Sequence, residues 1–311
     1  MNNQVPGTNK FPQWLRKSYK IIFLVIFCLV VITGLVFAIH KISVVMHTKR
    51  ELEKLAKDIN VMAKNLPGRV SFVIKDLRTG VCIKQNADEL FPSASLVKVP
   101  LMACVYKAAE DGLLSLDEKL ILKRSHRVEG GKKLRYCRIG TKLEITRLIE
   151  LMIDESNNIA TNMLTERLGL DYINDTFKQF GLKKTNFDRY IMDLKARNRG
   201  IDNWTTAEEI TELLEKIYSR KLVNSKASEQ MLEILMKQEI RDRIPKWLPK
   251  DIQIANKTGY LRQTCHDAGI VFSVNGDFIV CVLTHGVKKT KLAKNFIREV
   301  GYRTYMQYTN F

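Results

Sequence analysis

Residues 21–39 (IIFLVIFCLVVITGLVFAI) form a run of 19 residues without a charge. As a helix rising 1.5 Å per residue this run is about 28 Å long, enough to cross the hydrocarbon core of a bilayer. It divides the chain into a short N-terminal segment and a long remainder. A cleaved signal peptide is the alternative, because Val36-Phe37-Ala38 offers a small-residue site. The run exceeds the usual apolar region of such peptides, so an uncleaved anchor is the expectation.

Residues 1–20 hold Lys10, Arg16, Lys17 and Lys20 and no acid, and read as a short basic tail. Lys and Arg number four in the fifteen residues before the span and four in the fifteen after it, so the positive-inside count ties. The tighter crowding of Arg16, Lys17 and Lys20 against the span favours a cytoplasmic tail and an extracytoplasmic remainder. Residues 40–66 place Leu52, Leu55, Ile59 and Met62 at helical spacing among charges, an amphipathic connecting helix stopped by Pro67-Gly68. Residues 67–311 are then the functional domain.

The net charge is +18, which suits anionic surroundings such as lipid headgroups, cell-wall polymers or nucleic acid. Zinc-finger spacing, an RNA-binding aromatic signature and a recognition helix are all missing from the sequence, so no nucleic-acid partner is expected. Cys28 lies in the apolar run, and Cys82, Cys104, Cys137, Cys265 and Cys281 are an odd number without CxxC spacing. They read as thiols rather than as a disulfide framework or a metal site, and no cofactor is expected.

Along the domain, Val70–Ile74 and Val81–Ile83 flank Arg78-Thr79-Gly80, a strand–turn–strand signal. Residues 123–142 are polar, basic and glycine-rich and read as an exposed loop, after which Thr146 is a candidate helix cap. A further helix runs from Ile159 to Leu168 and stops at Gly169. Residues 182–204 have no period and read as a long loop, a class often functional in a compact domain. Thr205-x-x-Glu208 and Thr206-x-x-Glu209 are overlapping capping-box candidates for the next helix. Another helix lies near 228–238. Strands return at Ile252–Lys257, Ala268–Val274 and Phe278–Leu283, with Asn275-Gly276 as a hairpin signal, before a C-terminal helix. Strands at both ends with helices between predict an α/β (α+β) fold: an antiparallel sheet flanked by N- and C-terminal helices beside an all-helical half. The site is expected in the cleft between them.

The stretch Phe91-Pro-Ser-Ala-Ser-Leu-Val-Lys-Val-Pro turns from polar to apolar and opens a buried helix that ends before Asp111-Gly112. Ser95 and Lys98, three apart, share one face of it. Ser95 is expected in the first turn, where free backbone N–H groups and the helix dipole favour developing negative charge. A hydroxyl beside an amine is a nucleophile beside its possible base. Ser-x-x-Lys is followed by Ser156-Asn157-Asn158 and by Lys257-Thr258-Gly259, at separations of 61 and 101 residues.

Those three motifs in that order resemble the penicillin-recognising serine hydrolases, and among them the class A β-lactamases and related penicillin-binding D,D-peptidases. The resemblance covers roughly residues 50–308. It implies Ser95 as nucleophile, Lys98 as the amine that deprotonates it, and Ser156 as the donor to the leaving nitrogen. It implies Asn158 as a holder of the substrate's side-chain amide, with Lys257 and Thr258 binding a carboxylate. Gly259 would let substrate approach the strand, and the backbone N–H groups of Ser95 and Tyr260 would form an oxyanion hole. Two departures stand out. Asn157 replaces the family's aspartate at a mainly structural position. The 182–204 loop lacks the glutamate of Glu-x-x-Leu-Asn, which activates the deacylating water; of its acids, Asp188, Asp193 and Asp202, only Asp193 is a candidate substitute, and it is expected rather to tie the loop together. The partner expected is a β-lactam or a peptidoglycan stem peptide, with slow release of the acyl group. Efficient lactam hydrolysis and a non-catalytic, membrane-tethered wall binder are the alternatives.

Overall fold

The computed structural model describes residues 13–309. Contacts divide the chain into two units, residues 1–48 and 49–311. Helix α1 (Gln13–Lys64) supplies the described part of the first unit. From Ile26 onward it is long and apolar enough to cross a membrane. Residues 13–20, expected as tail, are helical, and the remainder of that tail lies outside the described residues.

The second unit is built on a sheet that joins both ends of the chain. Strands β1 (Arg69–Asp76) and β2 (Cys82–Gln85) come first. A two-stranded pair, β3 (Phe91–Pro92) with β6 (Trp204–Thr205), and another, β4 (Lys119–Ile121) with β5 (Lys142–Glu144), lie outside the main sheet. Strands β7 (Ile254–Leu261), β8 (Thr264–Val271) and β9 (Phe278–His285) complete it in the order β2-β1-β9-β8-β7. The pairings within it are antiparallel, and β1 is registered on β9 with Phe72 opposite Val282 and Val73 opposite Cys281.

Period-two alternation sorts the strand residues onto two cores. Phe72, Ile74, Val280 and Val282 pack with Leu52, Leu55 and Ile59 of α1 and with Phe296, Ile297 and Val300 of α9 (Thr290–Thr309). Val73, Ile279, Cys281, Leu283 and Ile270 face the helical half. That half holds α2 (Lys98–Glu110), α3 (Ile145–Asp154), α4 (Asn158–Leu168), α5 (Leu170–Gln179), the short α6 (Leu194–Asn198), α7 (Ala207–Tyr218) and α8 (Ser225–Met236). The predicted antiparallel sheet with flanking helices and a helical half is the fold observed.

Local expectations fared unevenly. Thr146 does not cap α3: Glu144 holds the cap position without a side-chain bond, and the Thr146 hydroxyl donates to Leu116 O at 2.7 Å. Of the two overlapping boxes only Thr206 caps, accepting from Glu209 N at 3.1 Å. Neither box closes, because the Glu209 carboxylate accepts the backbone N–H groups of Lys183, Lys184 and Thr185 at 2.7–2.8 Å. The Asn275-Gly276 turn lies in a connection running from Val271 to Phe278 rather than in a two-residue hairpin; Gly276 has φ +134°. The cysteines are free; Cys104, Cys265 and Cys281 are buried, whereas Cys82 is exposed.

Candidate active site

Ser95 lies in a 3₁₀ turn, Ala94–Val97, immediately before α2, and not in the first α-turn as expected. Polar Ser93 and Ser95 alternate with buried Ala94, Leu96 and Val97, so the turn is anchored by its apolar members and leaves Ser95 half-buried. The turn packs against β7, and a methyl group built on Gly259 would come 3.2 Å from Ala94 Cβ and from His266 Cβ. Glycine at 259 is therefore what lets the turn that carries Ser95 rest on the strand. His266 fixes the other side of this contact. Its Nε2 lies 2.8 Å from Pro92 O and its Nδ1 accepts from Thr284 N at 3.1 Å. Burial lowers its pKa to about 4, so it is neutral and its Nε2–H donates to Pro92.

Lys98 is fully buried at the start of α2. Its Nζ lies 2.7 Å from Ser156 O, 2.7 Å from Asn158 Oδ1 and 3.3 Å from Ser156 Oγ. Burial first, then the charges of Lys257 and Lys132, push its pKa well below the ordinary lysine value. A neutral amine has two N–H groups, and here both find acceptors that cannot donate, Ser156 O and Asn158 Oδ1. The lone pair is then left for a hydroxyl.

Ser156 is that junction. Its backbone is left-handed, φ +57°, and its Oγ lies 2.9 Å from Lys257 Nζ as well as 3.3 Å from Lys98 Nζ. Lys257, fully buried on β7, also donates to Thr258 O at 3.0 Å. Burial and the Arg243 guanidinium bring its pKa down to about 7, against the pull of Asp267. Asp267 is itself held by Asn256 Nδ2 and Ile244 N, and burial raises it to about 6.

Asn157 caps α4, its Oδ1 accepting from Ile159 N and Ala160 N at 3.1 Å, while its Nδ2 donates to Gly131 O at 2.7 Å. An aspartate would keep the cap and lose the second bond. Asn158 takes Gly130 O and Glu129 O as acceptors for its backbone N–H and its Nδ2, at 3.1 and 2.8 Å. Gly130 has φ +75°, and a methyl group there would stand 2.5 Å from Asn158 Nδ2. Residues 123–142 are thus not simply an exposed loop: His126, Gly131 and Leu134 are buried, and the segment braces the second motif.

A slot runs past Ser95, with Asn158, Tyr260, Ile191, Met192, Leu194 and Arg197 among its walls. The long loop supplies the last four. Asn162 of α4 holds Ile191, one of the slot's walls, at both backbone groups, at 3.0 Å each. Asp193 does not reach into the site, since its Oδ1 accepts from Ala196 N at 2.9 Å and caps α6. Ala94 and Met192 on the slot's walls, and Ser156 beside Lys98, have positive φ (48°, 67° and 57°), left-handed non-glycine backbone of the kind common at functional sites.

The motif residues Ser95, Lys98, Ser156, Asn158, Lys257, Thr258, Gly259 and Tyr260 therefore come together, and Asp193 stands apart. Sequence reasoning missed Ile191, Lys132, Arg243 and Asp267. Asp267 lies a few residues beyond the third motif, and the other three lie in stretches without a motif.

The profile of the Beta-lactamase enzyme family matches residues 54–308. The chain belongs to the Beta-lactamase enzyme family. Within that family it is 22% identical over 286 residues to β-lactamase VEB-1 of Pseudomonas aeruginosa, covering 86% of this chain and 94% of that one. Among solved structures, a β-lactamase from Sphaerobacter thermophilus is 26% identical, with a TM-score of 0.76 over 82% of this chain and 97% of the other. A point mutant of PBP-A, solved as an acyl-enzyme complex with penicillin-G, is 25% identical with a TM-score of 0.77, covering 84% and 98%. Membership in the Beta-lactamase enzyme family makes this chain a β-lactamase-like serine hydrolase.

Proposed function

We propose that this serine hydrolase is anchored in the cell membrane by residues 21–39, with its catalytic domain outside the cytoplasm. In this reading it is acylated at Ser95 by β-lactams and by D-alanyl-D-alanine stem peptides. Lys98, as a neutral amine, takes the Ser95 proton. The hydroxyl attacks the carbonyl carbon while the backbone N–H groups of Ser95 and Tyr260 stabilise the oxyanion. Ser156 passes a proton to the leaving nitrogen, and Lys257 with Thr258 holds the substrate carboxylate beyond it. Asn158 holds the amide on the acyl side. No step calls for a metal or cofactor.

The observation that carries this reading is the bonding of Lys98, three residues beyond Ser95: a buried amine whose two N–H groups are spent on the carbonyl oxygens of Ser156 and Asn158, and which the Ser156 hydroxyl at 3.3 Å links to Lys257. The penicillin-G adduct of the PBP-A mutant supports the same chemistry here. D,D-peptidase character is favoured by the wall facing Ser95, where Ile191, Met192 and Leu194 offer no carboxylate to activate water. The likeness to VEB-1 favours lactam hydrolysis as the second reading.

The test is intact-mass measurement of the full-length chain in detergent with benzylpenicillin. Wild type should carry a stable adduct that Ser95→Ala lacks. A folded wild type that takes up no label would return the chain to a tethered wall binder.

A further inference from the structure

The loop side of the slot carries a charge that the acyl-transfer reading does not use. Arg189 and Arg197 both line the slot, and no acid lines it with them. One carboxylate, Asp202, lies behind the two guanidinium groups. Its Oδ1 accepts from Arg189 Nε and Nη2, at 2.9 and 2.6 Å, and from Asn203 N at 2.9 Å. Its Oδ2 accepts from Arg197 Nε at 3.1 Å. Arg189 is spent, since its Nη1 donates to Tyr190 O at 3.1 Å. Arg197 is not: its Nη1 and Nη2 have no partner among the described residues, and its side chain is 27% exposed. Two cations against one anion leave a positive charge on this wall. Burial, then Arg69, then Arg197 lower the pKa of His285, against the pull of Asp202.

The side of the slot fixes what this charge would meet. Asn158 lines the slot with Ser95 and Arg197, whereas Lys257 is not among its walls. On the reading proposed above, Asn158 marks the acyl side of the scissile bond and Lys257 the leaving-group side. We infer that Arg197 is a specificity residue for the acyl side, binding a second carboxylate on the acyl portion of the substrate. The preferred donors are then peptides or lactams that are anionic on both sides of the bond to be broken. The Nε bond to Asp202 holds the guanidinium in place, and the two terminal nitrogens offer the fork that suits a carboxylate.

Two penicillins of similar size separate this from a purely structural role: carbenicillin, with a carboxylate on the acyl side chain, and ampicillin, with an amine there. Second-order acylation rates of the full-length chain are measured by intact mass at pH 7. The wild-type carbenicillin-to-ampicillin ratio should exceed one. Arg197→Gln should lower it by about tenfold, and Arg197→Lys, which keeps the cation without the fork, by less. In wild type the ratio should also fall as salt is raised from about 0.05 to 0.5 M, a reading that needs no variant. A wild-type ratio below one, a ratio unmoved by Arg197→Gln, or one insensitive to salt overturns the inference while the acyl-transfer reading stands. No benzylpenicillin adduct at all removes that reading, and this inference with it.

Discussion

Two buried lysines share the hydroxyl of Ser156, and the proposed chemistry asks opposite protonation states of them. Lys98 works as a neutral amine, so acylation rises as pH climbs through its depressed pKa. Lys257 works as a cation, and with a pKa of about 7 in the free enzyme it loses its charge above neutrality. The acylation rate should therefore be bell-shaped with its alkaline limb near pH 7. Lys257→Arg, which stays charged, should remove that limb whatever it does to the maximum; a limb still near 7 in that variant would assign it to another group. Ser95, Lys98, Ser156 and Lys257 were legible because their types and order survive in one dimension. Arg243, Asp267 and Lys132 were not, since they tune the lysines through space from stretches with no motif of their own.

Between the motifs, the 182–204 loop shows how an element can be ordered without a period. Its backbone groups are taken by side chains: Glu209 at 183–185, Asn174 at Phe187, Asn203 at 188–189 and Asn162 at Ile191. Such bonds leave no hydrophobic repeat to read, which is why α6 was missed and why Ile191 on the slot wall could not be named from sequence. A chromogenic cephalosporin should give a burst stoichiometric with enzyme, then slow turnover. Asp193→Asn should leave the slow phase unchanged, because asparagine caps as well as aspartate. Ile191→Glu places a carboxylate at the slot and should raise the slow phase, a positioned base contributing on the order of 10²–10⁴-fold. Turnover that stays slow in Ile191→Glu would mean that the wall is not where water is activated. On the neighbouring element, Asn157→Ala removes the α4 cap and the bond to Gly131, and should cost about 1–2 kcal/mol in thermal unfolding.

At the level of the whole molecule, the antiparallel sheet with its flanking terminal helices and helical half was legible from the patterns at both chain ends, whereas the short pairs β3–β6 and β4–β5 were not, being too brief to show a pattern. Phe72, fully buried between β9 and the flanking helices, should cost about 3–5 kcal/mol when cut to alanine, seen as a fall in melting temperature. If residues 21–39 anchor the chain, it should stay in the membrane fraction through a high-salt wash, since salt screens charge adhesion but not apolar insertion. A released protein beginning near Ile39 would show a cleaved leader instead. The pairing of β1 with β9 also dictates timing. Strand β1 lies early in the chain, yet the neighbour that seals one of its edges is the last strand to be made. Until then β1 has only β2, and an isolated two-stranded hairpin is marginal in water. Phe72 and Ile74 wait uncovered beside an open strand edge, the state from which chains aggregate. Refolding should accordingly be slow, with yield falling as protein concentration rises, because the step that closes the sheet joins segments about two hundred residues apart.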